Sequence, residues 1–198
     1  MKFTQSFSAS LLLTVSLFTN AQNIDDQVNQ LVANMTLDEK VGQMTQVERK
    51  ELDHISDLAT YNIGSLLSGG GSAPIPNTLD TWVKMYNEYQ TVSMQSSSGI
   101  PMIYGIDAVH GHSNVKGAVI VPHNIGLGAT WNTDLVKEIS KVVAKEVAAT
   151  GIDWTFAPCV AVPQNERWGR TFEGFGETSE INQIMGIASV VGLQGNDL

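Results

Sequence analysis

The sequence predicts an α/β fold with a parallel sheet, corresponding to the first part of a (β/α)8 TIM-type barrel. Apolar, strand-like segments alternate with amphipathic helical segments along most of the chain. The turns from helix to strand are short, whereas the loops after the strands are long and rich in glycine. Alternation alone fits a doubly wound sheet or a barrel. The long loops after the strands favour the barrel, because such loops build its functional site.

Residues 1–21 predict a cleaved export signal. Lys2 precedes an apolar run over residues 11–18, and Thr19-Asn20-Ala21 offers the small residues that a signal peptidase accepts. The apolar run is too short to span a bilayer, which takes roughly 20 such residues. We therefore expect cleavage after Ala21, a mature segment over residues 22–198, and a periplasmic or secreted location in a bacterium.

The composition argues against polyanionic partners. The chain has 20 acidic and 11 basic residues, for a net charge of −9, and its basic residues form no cluster. Such a surface repels nucleic acid and anionic membranes, so we expect neither as a partner. The only cysteine, Cys159, excludes an intrachain disulfide, which fits a bacterial exported protein. Its apolar neighbours predict a small buried side chain.

The first folded segment, from Gln22 to about Thr45, is predicted to be helical. Its apolar residues recur at spacings of three and four, as one face of a helix requires. Thr36 and Glu39 stand three apart in Thr-Leu-Asp-Glu, the pattern of a capping box that begins a second helix. This segment is therefore expected to lead into the barrel without contributing to its chemistry.

Three strands and three longer helices are predicted after this lead-in. The strands are 63–68, 101–107 and 152–158, and the helices run over about 78–94, 132–150 and 180–191. Aromatic residues at helical spacing in the first of these helices, beginning with Trp82, are expected to pack against the sheet. Because a complete barrel has eight strands, we expect this chain to hold only part of one.

Two of the loops after strands concentrate polar and aromatic groups. One follows Tyr104 and includes Asp107, and the other includes Trp168 and Arg170. A carboxylate accepts hydrogen bonds from hydroxyls, a guanidinium donates them, and a tryptophan covers the apolar face of a sugar ring. The pattern therefore suits a neutral sugar, with Trp168 as the ring that covers it.

Each of the two charged residues also has a purely structural interpretation. Asp107 could cap a loop or a helix. Arg170 could form an ion pair with a nearby glutamate, the candidates being Glu166, Glu173 and Glu177. The residues alone leave these alternatives open.

A metal-dependent hydrolase is the main competing hypothesis. His110 and His112 have a spacing that lets two imidazoles reach one ion, and His123 and Asp107 could complete the site. Such a pair normally lies on an extended strand, whereas Gly111 here belongs to a glycine-rich loop. An isolated His-x-His pair is also a weak signal.

Several segments of the chain resemble glycoside hydrolase family 3, in the order in which that family has them. The similarity runs from about Val32 to the last residue and is greatest to the β-glucosidase and exo-β-glucanase branch. The segments that carry it are 44–49, 100–111, 122–130, 156–158 and 167–170. Their conjunction is far more specific than any one of them.

The resemblance implies a barrel domain and a retaining hydrolysis of terminal, non-reducing β-D-glucosyl residues from β-glucosides, cello-oligosaccharides or β-glucans. It implies that Asp107 binds hydroxyls of the glucose at the bond that breaks and that Arg170 lines the same subsite. It implies no metal and no organic cofactor, and a carbohydrate as the only substrate partner. Related members of the family act on xylose or N-acetylglucosamine instead.

The residues that break the bond in this family have no counterpart here. The family's nucleophilic aspartate, its acid/base glutamate and a sugar-binding Lys-His pair match nothing in this sequence, and the surroundings of Asp197 do not fit the nucleophile motif. Retaining hydrolysis needs two carboxyl groups roughly 5–5.5 Å apart. We therefore expect the 198-residue chain to be inactive alone, and a non-catalytic sugar-binding fragment stays an alternative.

Overall fold

The computed structural model describes residues 23–195. The predicted export signal lies outside the described residues. The first described helix, α1 (Ile24–Asn34), belongs to a unit that ends at Asn34, and a second compact unit begins at Met35. Two acidic residues in the first turn of α1 oppose the positive end of its dipole. No helix in the described range is long and apolar enough to cross a membrane.

The second unit is built on a parallel sheet of four strands in the described range. They are β1 (Gln46–Glu48), β2 (Ser65–Ser68), β3 (Ile103–Ile106) and β4 (Trp154–Thr155), and they lie side by side in that order. Each strand pairs in parallel with the next. Consecutive parallel strands joined through helices are how a (β/α) barrel begins, so the predicted fold class is confirmed.

Six helices belong to this unit in the described range. They are α2 (Leu37–Gln43), α3 (Asp57–Thr60), α4 (Leu79–Ser93), α5 (Asn124–Gly128), α6 (Thr133–Ala149) and α7 (Ser179–Gln194). Short 3-10 turns cover Arg49–Glu51 and Thr171–Glu173. The three longer predicted helices are confirmed to within a few residues.

Side-chain caps explain where the predicted helices begin. The Thr36 hydroxyl accepts from the Glu39 amide at 3.2 Å, while the Glu39 carboxylate accepts from the Thr36 amide at 2.8 Å. The predicted capping box is thus confirmed. Thr78, Asn132 and Thr178 cap α4, α6 and α7 in the same way, each accepting from an amide in the first turn. These bonds satisfy amides that the helix itself leaves free.

The prediction of only three strands was wrong, because β1 was missed. This strand has three residues, follows α2 closely, and begins and ends with the polar residues Gln46 and Glu48. Such a segment has no run of apolar residues to mark it as a strand. Helix α5 was also missed, because its sequence, Asn-Ile-Gly-Leu-Gly, has two glycines and reads as a loop.

The outer face of the sheet is covered by helices. Leu66 of β2 pairs with Tyr104 of β3, and both side chains are fully buried in a cluster with Trp82 of α4. The Tyr104 hydroxyl reaches the buried Ser68 hydroxyl at 2.8 Å. Burial raises the pKa of Tyr104, so it stays neutral. The expectation that Trp82 packs against the sheet is confirmed.

The inner face of the sheet is much more exposed. Side chains alternate between the two faces of a strand, so Ile103 and Gly105 point away from the buried Tyr104 and Ile106. Ile103 is 53% exposed, and Trp154, which pairs with Gly105, is 41% exposed. This is the face that points into the centre when such a sheet closes into a barrel.

Two asparagines connect the loops that follow β2 and β3. The side-chain Nδ2 of Asn77 donates to the backbone carbonyl of Asn114 at 2.8 Å. The side-chain Oδ1 of Asn77 accepts from the Trp82 indole N–H at 2.8 Å. The Asn114 amide donates in turn to the Gly69 carbonyl at 3.3 Å. The two loops are therefore held together at the carboxyl edge of the sheet.

Candidate functional site

An open cavity of about 520 Å³ lies at the carboxyl ends of β3 and β4. The loops after β2, β3 and β4 all contribute to its wall. Among the residues lining it are Asp107, His110, His123, Phe156, Arg170 and Glu173. Cavities of similar volume border α7, but Asp153 is the only ionisable residue in their linings. Of these three cavities, the one at the strand ends is therefore the best equipped for polar recognition.

The structure brings Asp107 and Arg170 to this one cavity. Asp107 directly follows β3, its side chain is exposed, and no hydrogen bond to its carboxylate occurs within the described residues. Arg170 comes from the loop after β4, and its positive charge is close enough to be stabilised by Asp107. An acceptor and a donor for hydroxyl groups thus face the same space. Their role in sugar binding stays a prediction.

The Arg170 side chain also forms an ion pair. Its Nε donates to Oε1 of Glu173 at 2.9 Å, and its Nη2 donates to Oε2 at 2.6 Å. Hydrogen bonding to Glu173 raises the pKa of Arg170, and the same bonds hold the pKa of Glu173 below its usual range. Of the three glutamates considered from sequence, Glu173 is thus the partner. A guanidinium has five N–H groups. Because Glu173 accepts from two of them, the remaining N–H groups of Arg170 stay available to a ligand.

Trp168 lies in the same loop as Arg170 but does not line the cavity. It is 40% exposed, and its backbone is held by bonds to Asn165 and Thr171. Its predicted role as a cover for the sugar ring stays a prediction.

Sequence reasoning did not predict that four other rings line the cavity, those of His110, His123, Phe156 and Phe172. His123 contacts His110 with ring centroids 4.2 Å apart and meets Phe172 edge-on at 4.6 Å. Phe156 lies on another part of the wall. Three of these rings, His110, His123 and Phe156, fall in family-like segments, and the two histidines had been considered only as possible metal ligands.

His110 and His112 lie in different surroundings, contrary to the metal hypothesis. His112 is fully buried beside Trp82, with ring centroids 5.7 Å apart, and its Nε2 is 3.1 Å from the Thr150 hydroxyl. That hydroxyl donates to the Val147 carbonyl, so the imidazole donates to it through Nε2. Burial lowers the pKa of His112 to about 4.

His110 faces the cavity instead of His112. Burial lowers its pKa, and the neighbouring His123 lowers it further. Within residues 23–195, no three His, Cys, Asp or Glu side chains are grouped to hold a metal ion. The structure therefore does not assemble the set of ligands that the metal hypothesis requires.

Cys159 is not the buried side chain that its sequence neighbours predicted. It is a free thiol, half-buried, and it lines the cavity close enough to Arg170 to influence it electrostatically. The prediction was wrong because strand β4 ends at Thr155, and the apolar run that follows it contributes Phe156 and Cys159 to the cavity wall.

The chain matches the family described as the glycosyl hydrolase family 3 N terminal domain over residues 36–198. It is 36% identical over 190 residues to the lysosomal beta glucosidase of Dictyostelium discoideum, covering 87% of this chain and 23% of that protein. It is 33% identical over 171 residues to the periplasmic beta-glucosidase of Salmonella typhimurium, covering 86% and 21% respectively.

A solved structure shows the same fold. The exo-1,3/1,4-beta-glucanase of a Pseudoalteromonas species superposes with a TM-score of 0.80 at 46% sequence identity, covering 85% of this chain and 22% of that one. The chain thus spans about a fifth of the length of these relatives.

Proposed function

Because this chain belongs to glycosyl hydrolase family 3, we propose that it supplies the sugar-binding edge of an enzyme that removes terminal β-D-glucosyl residues. The substrates are β-glucosides, cello-oligosaccharides or β-glucans. The observation that carries the proposal is the shared cavity of Asp107 and Arg170 at the strand ends. The three relatives described above are two β-glucosidases and an exo-β-glucanase, which supports this class of substrate.

The cavity residues suggest how the sugar is held. Asp107 accepts hydrogen bonds from two hydroxyl groups of the terminal glucose, and Arg170 donates to a hydroxyl from the N–H groups that Glu173 does not use. Glu173 fixes the plane of the guanidinium through its two bonds, which lowers the entropy lost when the sugar binds. The exposed Trp168, although it does not line the cavity, is the ring that we propose covers the apolar face of the bound sugar.

The bond-breaking step requires a nucleophile and an acid/base carboxyl group on either side of the glycosidic bond. We assign neither group to this chain. We propose that both correspond to residues in the part of its relatives that this chain does not match. The reaction retains the configuration of the anomeric carbon and uses no metal or organic cofactor. The 198-residue chain alone is then inactive.

We also propose that the enzyme works in the bacterial periplasm or outside the cell. Lys2 and the apolar run over residues 11–18 support export, and the Salmonella relative is named as periplasmic. The net negative charge fits a neutral carbohydrate as the ligand, with nucleic acid and membrane excluded.

A fusion protein tests the proposed function. Residues 36–195 of this chain replace the corresponding segment of the Pseudoalteromonas exo-β-glucanase, and we call the product the completed hydrolase. We expect it to release nitrophenol from nitrophenyl β-glucoside, with the β-anomer of glucose as the first product by NMR. A completed hydrolase that matches the parent enzyme in circular dichroism and size yet cleaves no β-glycoside would contradict the proposal.

A further inference from the structure

Gly105 lies directly beneath the ring of Phe156. The two strands pair in parallel with Gly105 opposite Trp154, so the missing side chain of Gly105 points to the inner face of the sheet. A Cβ atom there would stand 2.5 Å from Cζ and 2.8 Å from Cε1 of Phe156. Nonbonded carbon atoms prefer separations of about 3.5–4.0 Å. The absence of a side chain at Gly105 is therefore what lets the ring lie where it does.

Two further contacts hold Phe156 in place, one to its ring and one to its backbone. Trp154 meets it edge-on, with ring centroids 4.9 Å apart and planes at 85°. The Phe156 backbone cannot withdraw easily, since its amide donates to the Ile106 carbonyl at 3.1 Å. The Phe156 ring also contributes to the wall of the cavity.

We propose that Gly105 and Phe156 together set the depth of the sugar cavity and thereby select the size of the terminal sugar. This inference rests on the proposed function. Any side chain at Gly105 pushes the Phe156 ring about 1 Å into the space beside Asp107 and Arg170, given the contact distances above. A glucosyl residue carries a hydroxymethyl group that a xylosyl residue lacks, so the larger sugar loses more from a shallower cavity.

The effect of such a change is expected to be substantial. One carbon more or less in a tight pocket changes specificity by about tenfold or more. Gly105→Ala should therefore lower the ratio of kcat/KM for nitrophenyl β-glucoside to that for nitrophenyl β-xyloside by about tenfold, measured with the completed hydrolase. The ratio matters because a merely structural defect reduces the active fraction and leaves the ratio unchanged.

Two further variants separate specificity from packing. Phe156→Leu gives the added methyl group room, so the double variant Gly105→Ala, Phe156→Leu should return the ratio to within about threefold of the unaltered enzyme. Phe156→Leu alone should raise the ratio, because it deepens the cavity. Gly126→Ala is the matched control, since its Cβ would meet only Pro122 at an ordinary 3.7 Å, and its ratio should not change.

The possible failures are distinguishable. If the completed hydrolase is active and Gly105→Ala leaves the ratio of kcat/KM values unchanged, this inference alone is overturned. The same holds if the double variant does not restore the ratio. If the Gly105→Ala variant does not fold, Phe156→Leu tests the inference in its place. An unchanged ratio of kcat/KM values in Phe156→Leu would also overturn the inference. A well-folded completed hydrolase without activity on any β-glycoside overturns the proposed function and this inference with it.

Discussion

The Arg170 guanidinium and the Glu173 carboxylate meet through two hydrogen bonds, at 2.9 and 2.6 Å, on the wall of the cavity. The carboxylate is the less exposed partner, with 15% of its side chain accessible against 63% for the arginine. The arginine is thus held by Glu173 and also lines the cavity. An ion pair and a sugar contact are therefore compatible for this residue, although sequence reasoning treated them as alternatives.

Arg170→Lys tests that double role. Lysine keeps the charge but cannot offer the flat fork of donors that reaches Glu173 and a sugar at once. Losing one charge-assisted bond to a hydroxyl corresponds to about 1.5–3 kcal/mol, so kcat/KM of the completed hydrolase on nitrophenyl β-glucoside should fall roughly 10- to 100-fold. Arg167→Lys, in the same loop but outside the cavity lining, should stay within about twofold. Equal effects of the two substitutions would contradict the role of Arg170.

Asp107→Asn should be more damaging still. The substitution removes a charged acceptor shared by two hydroxyls, which corresponds to about 3–6 kcal/mol of transition-state stabilisation and a loss of more than about a hundredfold in kcat/KM. The circular dichroism spectrum should not change. Asp153→Asn, at the opposite end of β4 where it accepts from Tyr86, serves as the control. A loss of less than about fivefold at Asp107 would show that this residue does not bind the sugar.

His112 should make the domain sensitive to acid. Its folded-state pKa of about 4 lies below the value of about 6.5 for an unfolded chain. The unfolded state therefore takes up the proton first, and stability is lost as the pH falls below about 6.5. Between pH 7 and 5 the loss amounts to roughly 2 kcal/mol.

Thermal unfolding of the completed hydrolase measures this effect. The transition of the unaltered protein should fall more steeply from pH 7 to 5 than that of His112→Gln, which cannot titrate. The exposed His54 offers a matched control, and His54→Gln should keep the steep dependence. Parallel curves for His112→Gln and the unaltered protein would refute the assignment.

The 198-residue chain alone should release no nitrophenol from nitrophenyl β-glucoside, because no nucleophile and acid pair is assigned within it. It should also bind a hydrophobic dye, since the inner face of the sheet exposes Ile103 and Trp154. Turnover that survives the removal of host glucosidases would contradict the proposed location of the catalytic carboxylates.

N-terminal sequencing of exported protein should begin at Gln22. The expectation follows from Lys2, the apolar run and the small residues that end at Ala21. Intact Met1 in material recovered from the periplasm would count against export by this signal.

Local signals in the sequence predicted most of the fold. Thr36, Thr78 and Asn132 mark helix starts because each offers a side-chain acceptor to free amides of the first turn. Strand β3 is recognisable because Ile103, Tyr104 and Ile106 are apolar. Strand β1 is not, because its position depends on pairing with β2 more than on its own residues.

The candidate site was only partly predictable for a related reason. Asp107 stands out because it directly follows strand β3, and Arg170 stands out because it lies beside Trp168 in the polar loop after β4. The pairing of Arg170 with Glu173, and the contact of Phe156 with the space above Gly105, depend on how separate segments meet. Nothing in the neighbourhood of Cys159 indicated that its chain segment turns onto the cavity wall.

The asparagine contacts between the loops after β2 and β3 bear on how this domain can be recombined with its relatives. Asn114 holds Asn77 through its carbonyl and Gly69 through its amide. These bonds largely join a side chain of one loop to the main chain of the other, so each depends on where the neighbouring backbone runs. In a chimera whose crossover falls between Gly69 and Asn114, the two loops come from different parents, and these hydrogen bonds are no longer matched in position. Crossovers outside that interval keep the pair of loops from a single parent.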